Sequence, residues 1–406
     1  VPDPVLIVGG GLAGLACAGA LEAKGVPYRL FEASDRVGGR VRTDVVEGFR
    51  LDRGFQVHFP AYPHARQALG DADLDLRPWR NGAIVWDGRR LRTLDRDRPF
   101  LTVWDGLLGA RDLARLGLLA TQALAQPVEV LRALSDTTTQ AELERRGFSE
   151  RAITRFLRPF FGGVFVDLPL GVSRRQFLFV MKMLAQSPAC SPNLGMEAIP
   201  RALAARVPTS RVETQTAVDE LLTTGGRVDG VRIGNERLPA SSVVLATDAD
   251  VAQSLSGLPL ARGWLGSVGV WFESERAVCD DPYIVLNGTG RGRVNEVVPI
   301  SNCAPGRAPE GRHLLCAVVV GVPQEPDDAL VESVRAEIRA WFPDAGAMRF
   351  LRLDRIPRHQ LAQPPGFDAP LPTAPPGLIL AGEMATNCSI DGSIESGLRA
   401  AEAVAA

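Results

Sequence analysis

Val5-Leu6-Ile7-Val8-Gly9-Gly10-Gly11-Leu12-Ala13-Gly14-Leu15 is the stretch that decides the fold. Four consecutive apolar residues read as a strand buried on both faces, as in a parallel sheet. Gly9, Gly11 and Gly14 then give the spacing G-x-G-x-x-G, and Leu15 to Lys24, rich in Ala and Leu, reads as a helix stopped by Gly25. A second strand, Tyr28–Phe31, ends at Glu32. Strand, glycine turn, helix and strand, with an acidic residue about 20 positions on, is the arrangement that binds a dinucleotide. Gly9 permits the tight turn, Gly11 lets a pyrophosphate approach the backbone, and Gly14 lets helix and strand pack closely. The helix N-terminus, at Leu12 and Ala13, offers free N–H groups and a positive dipole end to the phosphates. The Glu32 carboxylate can accept from the ribose hydroxyls.

Downstream come Ala33-Ser34-Asp35-Arg36-Val37-Gly38-Gly39-Arg40-Val41-Arg42-Thr43 and then Leu51-Asp52-Arg53-Gly54-Phe55-Gln56-Val57. With the opening motif, these segments resemble the flavin amine oxidase, phytoene desaturase and protoporphyrinogen oxidase superfamily. The resemblance implies FAD as cofactor. Ala33 follows the ribose-binding Glu32, Gly38 and Gly39 lie along the pyrophosphate, and Arg40 neutralises phosphate charge. Gly54, Phe55 and Gln56 run on toward the flavin. Gly195-Met196-Glu197-Ala198-Ile199-Pro200 resembles the family's return to the cofactor, Val218 matches the residue whose backbone meets the adenine, and Ala246-Thr247 matches a strand end beside it.

The tail repeats the signal. Leu378–Ala381 reads as a buried strand, followed by Gly382-Glu383 and by Asp391-Gly392-Ser393-Ile394-Glu395-Ser396-Gly397. This resembles the family's second FAD signature. It implies that Glu383 binds the ribityl or pyrophosphate part. It also implies that a helix beginning near Ser393 directs its N-terminus, through the Ile394 N–H, at N1 and O2 of the flavin.

The expected fold is α/β: a discontinuous Rossmann-type FAD-binding domain (residues 1–75, 195–255 and 365–406) with an α+β substrate domain (76–194 and 256–364). The substrate domain holds an antiparallel sheet and a helical insertion near 104–190. Strands are expected at Val212–Thr214, Ala217–Thr224, Arg227–Ile233, Ser267–Glu273, Arg293–Ile300, Leu314–Gly321 and Phe350–Leu353, and a helix at Asp328–Trp341. Gly225-Gly226 reads as a two-residue hairpin turn.

Composition narrows the remaining classes. The 406 residues carry 45 Lys and Arg against 47 Asp and Glu, a net charge of -2 that gives no sign of a nucleic-acid surface. Six cysteines without a CxxC pair point away from zinc, from any other metal and from a disulfide framework, and toward reduced thiols in the cytoplasm. No apolar run reaches the ~18 residues of a spanning helix; peripheral membrane contact stays open.

Redox chemistry at a flavin is the expected activity. The strand Ser267–Glu273 has no lysine, and Ser389 stands where amine oxidases of the superfamily carry an aromatic cage residue. The apolar stretches Phe156–Phe165 and Phe177–Leu184 suit a large hydrophobic substrate. Dehydrogenation of a carotenoid, prenyl compound or porphyrinogen is therefore the first expectation, with oxygen or a quinone as electron acceptor. The alternatives are an amine or amino-acid oxidase that releases hydrogen peroxide, and a non-redox flavoprotein such as an isomerase or binding module. Gln56, His58 and His359 are the candidate active-site groups, the last within Ile356-Pro357-Arg358-His359.

Overall fold

The computed structural model describes residues 3–405. Val5–Val8 lies at the centre of a five-stranded, wholly parallel sheet in the order Leu378–Leu380, Ser242–Leu245, Val5–Val8, Tyr28–Phe31, Val212–Glu213. Leu6, Ile7, Leu30, Val243 and Val244 are fully buried, as strands covered on both faces must be. The helix Leu12–Ala23 packs beside the helix Ile390–Ala405. Their backbones meet at Gly397, where an added Cβ would stand 2.1 Å from the Ala13 carbonyl oxygen. The two ends of the chain thus build one layer.

A seven-stranded sheet forms the second layer. Its order is Met348–Leu361, Trp264–Ser274, His313–Val320, Glu296–Val298, Ile284–Asn287, Gly82–Trp86, Leu91–Asp95. Neighbours are antiparallel except Ile284–Asn287 beside Gly82–Trp86. The amphipathic helix Asp327–Trp341 covers one face with Leu330, Val334, Ile338 and Trp341. Helices between Pro99 and Gln186 form the insertion over the cavity. Gly225 and Gly226, both at positive φ, join Glu220–Thr224 to Arg227–Ile233 as a tight hairpin.

Four expectations shift. The strand expected at 217–224 begins only at Glu220, and that expected at 293–300 shrinks to Glu296–Val298. The last strand of the second sheet runs Met348–Leu361 rather than 350–353, straight through Pro357. A proline is tolerated there because this is an edge strand with a bulge: Ser267 pairs with Ile356 but Leu265 with Gln360. Pro357, Arg358 and His359 therefore face Gly266 alone, where a Cβ would press on the Pro357 Cα at 3.2 Å. Finally, the closing helix starts at Ile390, three residues before Ser393. Among the described residues no helix is long and apolar enough to cross a membrane.

Candidate functional site

Between the two sheets lies one cavity of about 940 Å3, at the upper end of the range for small-molecule sites. Its two halves are built differently.

The first half is backbone. Gly9 has φ 107°, and a Cβ there would lie 2.6 Å from the Ala246 carbonyl oxygen; at Gly14 it would lie 1.9 Å from the Gly9 carbonyl oxygen. These two glycines close the turn. Gly11 is different: a Cβ there would meet nothing within 4 Å, so its backbone borders open space. The N–H groups of the first helical turn have no intrahelical acceptors. Glu32 accepts from the N–H groups of Gly10 at 2.7 Å and Ser34 at 2.8 Å, which fixes its carboxylate at the cavity wall. Arg40 pairs with the buried Glu383 at 2.7 Å, donates to the His359 carbonyl at 2.7 Å and lies over the Trp264 ring. An open glycine cradle at a helix N-terminus, with a carboxylate one strand away, fits the pyrophosphate and ribose of FAD.

Most sequence-predicted residues meet in this half. Gly9, Gly11, Leu12, Ala13, Glu32, Gly38, Gly39, Arg40, Phe55, Gln56, Ala246, Thr247, Gly382, Glu383 and Ser393 line the cavity. Gly14 and Gly54 sit behind it as packing positions; a Cβ on Gly54 would stand 2.8 Å from Ile356 Cδ1. Ala33 is exposed, and Val218 packs among apolar side chains of the parallel-sheet core. Ile394 is fully buried in the core, and as the fifth helical residue its N–H is committed to the preceding turn. Ile390 and Ser393 face the cavity in its place.

The three candidate active-site groups separate. His58 is buried outside the cavity lining, its ring edge toward Tyr62, with Nδ1 unpartnered; burial pushes its pKa down to about 4 against the pull of Asp391. Gln56 lines the cavity and donates to the carbonyls of Arg40 and Arg53, while its buried Oε1 has no partner. His359 lines the cavity from the bulge, and its Nδ1 lies 2.6 Å from the Ser267 hydroxyl. Burial, and then the Arg40 charge, push its pKa down to about 4. The imidazole is therefore neutral at neutral pH, and the same two causes disfavour its taking up a proton.

The second half is a floor of side chains. Paired residues on neighbouring strands point to the same face. The register sets Asp354, Gly269, Val318, Glu296 and Leu286 in one row across five strands, and Ile356, Ser267 and Val320 in the next row. Every one of these that carries a side chain lines the cavity. Phe160, Val164, Phe165, Val180 and Leu184 line it from the helices. Asp354 accepts from Trp271 Nε1 at 3.1 Å and pairs with Arg352, and burial still raises its pKa. Glu296 is buried and its pKa is pushed up to about 8 by burial, with the Asn295 hydrogen bond opposing. Sequence reasoning passed over Ser267, Glu296 and Asp354. For Glu296 the signal was present: a glutamate inside an apolar strand.

Comparison with known proteins places these features. The family model described as "Flavin containing amine oxidoreductase" matches residues 12–405. A coproporphyrinogen III oxidase of Mycobacterium leprae is 32% identical over 176 residues, 39% of this chain and 36% of that protein. A carotenoid phi-ring synthase of Streptomyces griseus is 28% identical over 222 residues, 49% of this chain and 42% of that protein. The matches thus span less than half the length of these relatives. Among solved structures, an oxidoreductase from Methanosarcina mazei superposes with a TM-score of 0.75 at 16% identity, covering 98% of this chain and 100% of that chain. At that identity the likeness speaks for the fold.

Proposed function

The chain belongs to the flavin containing amine oxidoreductase family, and from that premise we propose that it dehydrogenates a large, mainly hydrophobic substrate, passing electrons to oxygen or a quinone. FAD supplies the hydride acceptor when bound. The chain's own residues orient it: Gly11 and the helix start at the pyrophosphate, Glu32 at the ribose, and Glu383 and Ser393 further in. Residues 1–75, 195–255 and 365–406 serve as the cofactor part in this reading, and 76–194 and 256–364 as the substrate part.

The observation that carries the reading is the lining of the second half. It is predominantly aliphatic and aromatic, and it includes no lysine among the described residues. Of the two lysines in the chain, Lys182 donates to the carbonyls of Leu124 and Gln126, away from the cavity. Phe160, Phe165, Val318 and Val320 give the floor an apolar lining. His359, neutral and held in one orientation by Ser267, is the residue placed to hydrogen-bond a substrate group. Phe100, Val103, Leu118 and Leu124 are exposed on the helical insertion and support peripheral contact with a membrane. The test is anaerobic mixing of holoprotein with polyenes, prenyl compounds, porphyrinogens and simple amines. Bleaching of the flavin bands by a hydrophobic probe, and not by the simple amines, is expected. Bleaching by simple amines alone, with hydrogen peroxide released in air, would replace this reading by amine oxidation.

A further inference from the structure

Glu296 lies in the middle of the cavity floor, on the row between Val318 and Leu286. It is 6% exposed. Its Oε2 accepts from Asn295 Nδ2 at 2.9 Å, a donor that Asn295 shares with the Pro159 carbonyl. Among the described residues, Oε1 accepts no hydrogen bond and no cationic side chain pairs with the carboxyl. With one N–H of Asn295 on Oε2, the carboxyl has a single protein donor, and Oε1, at the cavity wall, can take another. The helix above has made room for it. At Gly163, which also lines the cavity, a Cβ would stand 2.2 Å from Glu296 Oε2. A side chain is missing on one element where a carboxyl stands on the other, and the carboxyl faces the space that the substrate occupies.

We propose that Glu296 is the specificity-determining residue of the cavity and that it takes an N–H donor carried on an otherwise apolar substrate. The inference rests on the oxidoreductase reading above and narrows its substrate class. A pure hydrocarbon offers this carboxyl nothing, whereas an N–H group supplies the missing partner. Two sources share that chemistry: a pyrrole N–H and a protonated alkylamine. The groups facing Glu296 leave the role to it. Asn295 is on its own strand, Val318 and Leu286 flank it, and Gly163 and the Pro159 carbonyl lie on the helix above. Of the titratable groups on this face, Cys316 is coupled by charge to Glu296 and its thiol is kept protonated by burial, and Asp354, at the far end of the row, is paired with Arg352.

The test is binding to the holoprotein, read anaerobically as perturbation of the flavin visible spectrum. The probes are octaethylporphyrinogen, dihexylamine and squalene, against wild type, Glu296→Gln and Glu296→Leu. Flavin content checks that each variant is folded, and the nearly isosteric Glu296→Gln carries the test if Glu296→Leu does not fold. One N–H probe is expected to lose at least tenfold in affinity in Glu296→Leu, with squalene unchanged or tighter. If the source is the pyrrole, Glu296→Gln keeps a carbonyl acceptor and loses less than about threefold. If it is the ammonium, the carboxyl releases its proton to solvent to pair with it, and Glu296→Gln, which cannot form that ion pair, loses tenfold or more. Equal affinities of wild type and both variants for both N–H probes, or a loss of squalene binding as large as theirs, overturns the proposal. Bleaching is a separate readout. Probes that bind as expected but never bleach the flavin sink the oxidoreductase reading and leave the Glu296 result standing.

Discussion

The two halves of the cavity meet the same demand, holding a ligand in fixed geometry, by opposite means. The cofactor half is made of main chain. Gly9 and Gly14 bring carbonyls and amides together where no side chain fits, and Glu32 is tied to two amides of the same βαβ unit. In the reading proposed above, the substrate half is made of side chains from five strands whose sequence positions run from 267 to 356. Where packing glycines such as Gly9 and Gly14 close the turn, a backbone site cannot be altered without altering the fold. A side-chain floor can be re-lined residue by residue while the sheet beneath it stands. The cofactor should therefore be common to relatives and the substrate variable, in keeping with porphyrinogen and carotenoid enzymes both appearing among the similar proteins.

The contrast breaks first, and hardest, at the glycines. Gly14→Ala sets a methyl 1.9 Å from the Gly9 carbonyl oxygen, and overpacking of this kind costs about 1–3 kcal/mol or more. We expect a lower unfolding midpoint and loss of bound flavin together. Gly11→Ala has open space around it and should leave the midpoint of the apoprotein unchanged while flavin affinity falls at least tenfold. If both variants lose stability equally, the distinction between a packing glycine and a ligand-facing glycine is wrong. Glu32→Leu comes next. It strands the N–H groups of Gly10 and Ser34, at about 1–3 kcal/mol for each buried group left unsatisfied, so chemical denaturation should register the loss even without FAD.

A smaller effect tests the seam between the chain's ends. Asp391, fully buried, accepts from the amides of His64 and Ala65 and from the His64 ring. The hydrogen bond to Asp391 raises the His64 pKa, with burial opposing. A raised folded value means that this stabilisation is fully present below the ordinary histidine pKa, about 6.5, and is lost as pH rises through the raised value. His64→Gln should therefore be less stable than wild type by about 1 kcal/mol in mildly acidic buffer, with the gap closing at alkaline pH. A gap that does not change with pH would assign the effect to packing alone.

A last effect, read only as a pH dependence, sharpens the description of the floor. Folded Glu296 keeps its proton up to about 8, whereas an unfolded glutamate loses it near about 4.3. Between those values the unfolded chain binds fewer protons, so wild-type stability falls as pH rises. Glu296→Gln lacks this slope and should gain on wild type up to pH 8. Parallel pH profiles of the unfolding midpoint would show that Glu296 is better solvated than its burial suggests.

What was legible follows the same division. Val5 to Glu32 and Leu378 to Gly397 could be read from the sequence because their information is local. A glycine spacing, a run of apolar residues and a following acid act within one strand-turn-helix unit. The helix start at Ile390 was misplaced because Asp391 and Gly392 look like a loop until Asn387 and Ser389 are seen to cap the turn. His58 looked like an active-site group because chain position does not reveal direction; a bridge to Cys190 turns the segment so that Gln56 and Val57 face the cavity and His58 the core.

The sequence by itself determined the cofactor cradle, the two-layer α/β architecture and the family, because short-range sterics and hydrogen bonding at glycines admit few alternatives. Only the tertiary structure decided the floor. The row from Asp354 through Val318 and Glu296 to Leu286 exists through register alone, and a one-residue slip of any strand would turn its side chain to the opposite face. The bulge that carries His359 to Ser267 depends on the same pairing. Chemistry set by proximity between distant segments becomes visible only when the sheet has formed.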